Sequence, residues 1–205
     1  MACRLILARH PMAASQHPGR FLGSTDLPLG NEGKHKAEAM APVVGEIPFG
    51  RAFVSPLRRT VETAEILGVE AEIDPGLREV DFGRWEGLSF EEITASDPEL
   101  VDRWAQFDPD FSFPGGENLG AFVDRVAATA DRLAGDPGTT VLAITHGGVI
   151  RAMICHLLGL DPKHYLRFEV APASLTTIDL SNGRGVLVGL NDTCYLTKCC
   201  NESVP

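Results

Sequence analysis

The chain has 205 residues, of which 44% are apolar and 22% charged, with a formal net charge of −10. This length suits one domain with a full core, and the acidic balance argues against general nucleic-acid binding while leaving room for a small cationic pocket that takes an anion. No apolar run approaches the roughly 20 residues that span a bilayer, and no basic region precedes a long apolar segment, so neither a membrane span nor a signal peptide is expected.

In chain order, Leu5-Ile6-Leu7-Ala8 is a short, continuous apolar run that suits a buried central strand of an α/β sheet. It leads directly into Arg9 and His10, at the strand end where open α/β sheets place their ligand crevices. Residues 11–30 are rich in Gly and Pro and read as a long, functional loop. A helix is expected over 33–44 and a short strand over 51–54. Ser55-Pro56 then reads as the N-cap and first turn of a helix running to about 67. Arg58 and Arg59 fall in its first turn, where cations are unfavourable unless an anion is held nearby. Adjacent helical residues diverge by about 100°, so only one arginine can face the crevice, and Arg59, four residues from Ser55, is the better placed.

A short strand is expected over 71–74. It is followed by an irregular, charge-dense segment over 77–87 that contains Glu79, Asp81 and Glu86. Helices follow over 90–95 and 98–107, and Asn118 caps another that runs to 133, with Phe122, Val126 and Ala130 on its apolar stripe. Residues 88–135 thus read as a helical insertion over the crevice. The opening pattern then recurs: an apolar strand over 140–145, His146, a Gly147-Gly148 turn, and a helix over 149–158. The glycines permit close backbone approach to a ligand, and the helix N-terminus offers N–H groups to an anion. Strands over 174–180 and 186–190, joined through Ser181-Asn182-Gly183, suggest a hairpin. Residues 197–205 read as a frayed tail.

The five cysteines, at positions 3, 155, 194, 199 and 200, are odd in number and irregularly spaced. They point to a reduced, cytoplasmic chain without the paired spacing of a thiolate metal site. The expected fold is α/β, a three-layer α/β/α arrangement with a mostly parallel sheet and an antiparallel edge strand, in one domain over 1–196.

If these strand ends meet, one crevice holds Arg9, His10, Arg59 and His146. Arginine forks match phosphate oxygens bidentately, and a neutral imidazole can attack phosphorus and carry it. An acid must protonate the leaving oxygen. Glu79 is the first candidate, with Asp81 and Glu86 as alternatives. There is no phosphate-binding P-loop, dinucleotide fingerprint, H-E-x-x-H or G-x-S-x-G, so neither a metal nor an organic cofactor is expected. Arg20, Arg84 and Arg151 could widen the cationic pocket, and His17 lies in the loop that borders it.

Six segments, in order, resemble the histidine phosphatase (phosphoglycerate mutase-like) superfamily: Arg9-His10; Gly23 to Leu29 followed by Gly33; Ser55-Pro56-Leu57-Arg58-Arg59-Thr60; Leu77-Arg78-Glu79 with Gly83-Arg84-Trp85-Glu86-Gly87; Pro114-Gly115-Gly116-Glu117; and Thr145-His146-Gly147-Gly148. The resemblance covers about residues 4–196. It implies a phosphoglycerate mutase-like fold, His10 as the phosphorylated nucleophile, Arg9, Arg59 and His146 in the phosphate pocket, and Glu79 as the acid. It also implies phosphate or substrate contacts at Gln16, Gly23 and Gly147. Pro11 departs from the family pattern, standing where a glycine is usual and removing an N–H that could meet phosphate.

The 77–87 segment and the short chain look most like α-ribazole phosphatases and other small phosphatases. The expected activity is therefore hydrolysis of a small phosphorylated metabolite, with α-ribazole 5′-phosphate as one candidate substrate. The alternatives are mutase-type phosphoryl transfer and a non-catalytic phosphate-binding module. Oligomeric state is open, a homodimer included.

Overall fold

The computed structural model describes residues 3–15, 19–108, 110–135, 138–181 and 184–196. Six strands form one mixed sheet: β1 (Cys3–Arg9), β2 (Arg51–Val54), β3 (Glu72–Ile73), β4 (Thr140–Thr145), β5 (Leu175–Ser181) and β6 (Arg184–Asp192), in the order β3-β2-β4-β1-β5-β6. The first four run parallel, and β5 pairs antiparallel with both β1 and β6, so the antiparallel component is a strand pair at one edge. The turn expected at 182–183 and the tail at 197–205 lie outside the described residues.

Alternation along the central strands separates two cores. Ile6, Ala8, Ala52, Val54, Leu142 and Ile144 face α1 (Asn31–Gly45) and α2 (Arg58–Leu67), where Met40, Val44, Ala64 and Leu67 meet them. Leu5, Leu7, Phe53, Val141 and Ala143 face the opposite way. There they join Phe122, Val126 and Ala130 of α5 (Leu119–Leu133) and Val149, Ile150 and Met153 of α6 (Gly147–Leu158). The result is the expected three-layer α/β/α arrangement. No helix among the described residues is long and apolar enough to cross a membrane.

Three helix starts differ from the sequence reading. Helix α2 begins at Arg58 with Leu57 as N-cap, not at Ser55 and Pro56. The Ser55 hydroxyl is committed to His146 Nε2 at 2.7 Å, and Asp26 reaches in from the long loop to accept the Arg58 N–H at 2.7 Å. Helix α6 begins at Gly147, so the glycine pair forms its first turn rather than a turn before it. Helix α1 starts two residues early, at Asn31.

A cluster of aromatic rings joins the core on the α5 and α6 face of the sheet. Trp85, Phe111 and Phe113 are almost fully buried and, with Trp104, stack mostly edge to face at centroid distances of 5.0–6.0 Å. They come from α4 (Pro98–Ala105), from the loop before α5, and from the 3₁₀ turn Gly83–Trp85. α3 (Phe90–Ser96) precedes α4 and opens with a Ser89–Glu92 capping box. Gly83 seats this segment: its φ is +56°, and a Cβ there would lie 2.2 Å from the Pro114 carbonyl oxygen. Gly83→Ala should combine left-handed strain with a backbone overlap and lower stability by at least about 2 kcal/mol in urea unfolding.

Candidate active site

Strand register builds the site. β1 pairs parallel with β4 so that Arg9 lies opposite Thr145. The next residue on each strand is therefore a histidine, and the rings of His10 and His146 sit 5.0 Å apart at an interplanar angle of 65°. The His10 N–H donates to the Thr145 carbonyl at 3.0 Å, locking the two strand ends together. The recurring pattern of apolar strand followed by histidine is thus a single feature in space.

The neighbours of His10 fix its tautomer. Nδ1 lies 2.6 Å from the Pro11 carbonyl oxygen, an acceptor only, so Nδ1 carries the proton. Nε2 accepts from Arg59 Nε at 3.1 Å, which leaves the in-plane lone pair on that nitrogen. The group Pro11 uses here is its main-chain carbonyl, which any residue at that position would also carry, so proline's missing N–H does not affect this bond. Burial first, then Arg59 and Arg9, hold His10 well below the usual imidazole range. Burial and Arg59, followed by His10 and Arg9, do the same to His146. Both rings are neutral near pH 7.

Arg59 is fully buried, whereas Arg58 is exposed. The Arg59 fork donates to the carbonyls of Thr25 at 2.8 Å and Gly23 at 2.6 Å. Arg9 Nη1 donates to the Val170 carbonyl, and burial pushes its guanidinium down to about 10. Arg9 Nε and His146 Nδ1 are buried without a hydrogen-bond partner among the described residues. An orphaned buried polar atom costs about 1–3 kcal/mol, and an anion reaching both would satisfy them.

Glu79 is buried at the same crevice. Its Oε2 accepts from the Gly148 N–H at 2.9 Å, at the start of α6, and its Oε1 from the Val80 N–H at 3.1 Å. The two glycines allow this approach. A Cβ on Gly148 would sit 2.5 Å from Glu79 Oε1, and one on Gly147 would sit 3.1 Å from Arg9 Cζ. They make room for protein side chains, where the sequence suggested room for a ligand.

The rival acids are engaged elsewhere. Asp81 accepts from the Gly83 N–H at 2.9 Å. Glu86 accepts from the N–H groups of Gly23 (2.9 Å), Ser24 (2.8 Å) and Phe82 (3.3 Å) and from the Thr25 hydroxyl (2.9 Å). Gly23 is therefore occupied on both sides, by Glu86 at its N–H and by Arg59 at its carbonyl. Among the outer arginines, Arg20 pairs with Glu92 and Arg84 with Asp97, while Arg151 Nε donates to the Phe168 carbonyl. Gln16 and His17 lie outside the described residues, as do Cys199 and Cys200. No group of three or more potential ligands among the described residues could hold a metal.

A protein-family model described as the histidine phosphatase superfamily, branch 1, matches residues 5–193. The chain belongs to that superfamily. Phosphoserine phosphatase 1 of Hydrogenobacter thermophilus is 32% identical over 94% of this chain and 94% of its own length. The adenosylcobalamin/alpha-ribazole phosphatase of Salmonella typhimurium is 29% identical over 92% and 96%. A crystal structure of a putative alpha-ribazole-5′-P phosphatase from Escherichia coli superposes with a TM-score of 0.83 at 26% identity, covering 94% of this chain and 97% of that one. The protein is a phosphatase of the histidine phosphatase family, with a phosphoglycerate mutase-like fold.

Two groups of this histidine phosphatase have supporting roles that the reading of individual residues did not assign. Glu117 and Arg125 form a two-oxygen ion pair at 2.9 Å, and Arg125 Nη1 donates to the carbonyls of Gly76 and Arg78, bracing the segment that carries Glu79. Glu86 is the second. The sequence offered it as an alternative acid and as a member of the Gly83 to Gly87 motif, not as the clamp of the 23–25 loop. Replacing it with Gln turns one accepting oxygen into a donor facing N–H groups. Glu86→Gln should therefore loosen the 23–25 loop, remove the carbonyl seats of Arg59 and lower kcat/KM by about 10²-fold. Circular dichroism should remain near wild type.

The buried neutral histidines also set a pH dependence. An unfolded chain binds their protons near pH 6.5, and the folded chain does not. Stability is thus fully present above about pH 6.5 and declines as pH falls, by at most about 1.4 kcal/mol per pH unit for each ring. Thermal midpoints measured between pH 7.5 and 5 should show this decline, and His146→Asn should make it shallower.

Proposed function

We propose that the protein hydrolyses a small phosphomonoester through a phosphohistidine on His10. The observation that carries this reading is the convergence of a tautomer-fixed neutral His10, the guanidiniums of the buried Arg59 and the half-buried Arg9, His146 and a buried carboxyl group on one crevice. In the first step His10 Nε2 bonds to phosphorus as the bond to the leaving oxygen breaks, and the Glu79 carboxyl supplies the proton that turns that oxygen into an alcohol. The charge growing on the imidazole is held by the Nδ1–H bond to Pro11. Arg9, Arg59 and His146 take the phosphoryl oxygens. In the second step water attacks phosphorus, the N–P bond breaks, and Glu79 takes back a proton. The products are the alcohol and inorganic phosphate, with no metal or organic cofactor in either step.

The finer substrate reading rests on the space beside Glu79. Arg9, Glu79, Gly147 and Gly148 open into a cavity of about 380 Å³ walled by Phe21, Phe82, Trp104, Phe113, Phe122 and Tyr165. Such a wall suits a flat, largely apolar alcohol, and α-ribazole 5′-phosphate is the candidate. Arg20 and Arg151 at the same cavity favour a second reading, a carboxylate-bearing substrate such as phosphoserine. Trp104, Phe113, Leu119 and Phe122 come from the 88–135 stretch, which supports reading 1–196 as one domain with that insertion over the site. Placement in the cytoplasm belongs to the same proposal.

His10→Ala should abolish turnover and leave no acid-labile phosphoprotein after rapid quenching. Glu79→Gln should slow alkyl phosphates by about 10²–10⁴-fold while nearly sparing aryl phosphates, whose leaving groups need little protonation. Near-normal turnover by His10→Ala would overturn the mechanism. Comparing kcat/KM for α-ribazole 5′-phosphate and phosphoserine should favour the former by about 10–10²-fold. The reverse order would overturn the substrate reading alone.

A further inference from the structure

The wall of the cavity beside Glu79 carries a single hydroxyl, that of Tyr165, on the 3₁₀ segment Pro162–Arg167. Tyr165 exposes only 7% of its surface. Trp104 Nε1 lies 2.6 Å from the Tyr165 oxygen. An indole nitrogen can only donate, so the tyrosine oxygen accepts this bond and its own proton needs a different partner. Among the described residues no acceptor takes that proton. Glu79, the carboxyl group on the same cavity, already accepts from Gly148 and Val80. Both rings are wedged in place. Tyr165 stands edge to face on Phe107 at 5.6 Å, and Trp104 does so on Phe21, Trp85 and Phe113 at 5.6–6.0 Å. Burial pushes the phenol well above its usual range, so it keeps its proton at neutral pH, and it lies within the fields of Glu79 and Arg151.

We propose that the Tyr165 hydroxyl is a specificity-determining donor that reads an ether or hydroxyl oxygen on the leaving alcohol. The inference rests on the hydrolytic reading above, in which Glu79 meets the leaving oxygen. Glu79 and Tyr165 line one cavity, so an alcohol held at the first extends past the second. A buried donor is satisfied only by an acceptor. The other charged side chains on this wall, Arg9, Arg20 and Arg151, are donors as well. Glu79 aside, the cavity offers hydrogens and calls for oxygens. Its aromatic rings take apolar surface, and Tyr165 adds a polar requirement at a fixed place on that surface. The substrate class is therefore the phosphate ester of an oxygen-bearing alcohol, such as a sugar or a polyol. A hydrocarbon alcohol of the same shape would leave the tyrosine proton unpaired.

The test compares kcat/KM for two alkyl phosphates on wild type and Tyr165→Phe. 1,4-Anhydroribitol 5-phosphate has a five-membered ring with a ring oxygen and two hydroxyls, and cyclopentylmethyl phosphate has the same ring without oxygen. The wild type should prefer the oxygen-bearing ring by at least about threefold. Tyr165→Phe should cut that preference by about 3–10-fold, slowing the oxygen-bearing substrate and sparing the hydrocarbon one. Both substrates are assayed on one preparation, so the ratio does not depend on the fraction folded, which circular dichroism reports. If Tyr165→Phe fails to fold, the wild-type ratio decides: a preference of at least about threefold supports the role of Tyr165, and no preference overturns it. A preference that Tyr165→Phe leaves unchanged, an equal loss on both substrates included, would overturn the role of Tyr165 and leave the hydrolytic reading intact. No turnover of either substrate by the wild type would overturn the hydrolytic reading, and this inference with it.

Discussion

Two guanidinium groups, that of Arg59 fully buried and that of Arg9 half-buried, meet at the crevice with no carboxylate in ion-pair contact among the described residues. Isolated buried charges are costly unless paired or hydrogen-bonded. Here backbone carbonyls carry much of that burden: Val170 for Arg9, and Gly23 and Thr25 for Arg59. Carbonyl dipoles steady a cation without neutralising it, so the crevice stays positive inside a protein whose net charge is −10. Much of the surrounding architecture keeps that unneutralised charge in place. The two histidines remain unprotonated chiefly because burial disfavours a charged ring, with the two nearby guanidiniums adding to the effect.

The burden passes outward through the backbone. The loop that seats Arg59 is itself held by the Glu86 carboxylate, and Glu86 belongs to the Gly83–Gly87 stretch pressed against Pro114–Gly116. On the other side, Arg125 with Glu117 braces the carbonyls around Glu79. Acidic residues thus act one layer away from the arginines, gripping the loops rather than the cations. That division keeps the anion pocket cationic while the frame around it is ionically tied.

Much of this was legible in the sequence. The buried strands β1 and β4 stand out as apolar runs, α5 by its stripe and its Asn118 cap, and the crevice by two histidines at equivalent strand ends. Long-range hydrogen bonds were not legible. Ser55 has the local signature of an N-cap, but a histidine 91 residues away holds its hydroxyl, and Asp26 caps the helix instead. Gly147 and Gly148 read as a turn because nothing local reveals that Arg9 and Glu79 crowd the first turn of α6. The 77–87 segment has no periodicity, so its three acidic side chains could be told apart only by their partners. The resemblance pointed to Glu79, and only the structure shows that Asp81 and Glu86 are engaged with backbone groups of neighbouring loops.

The bond from Arg59 Nε to His10 Nε2 has a chemical consequence. At rest, the lone pair that would attack phosphorus is already occupied as an acceptor. An uncharged electrophile entering the crevice gives the guanidinium no reason to let go, and it meets a capped imidazole. A dianionic phosphoryl group is a stronger partner for the same N–H, so its arrival draws the cap away. On the proposed mechanism, the nucleophile would thereby be released by the same charge that marks the molecule it should attack.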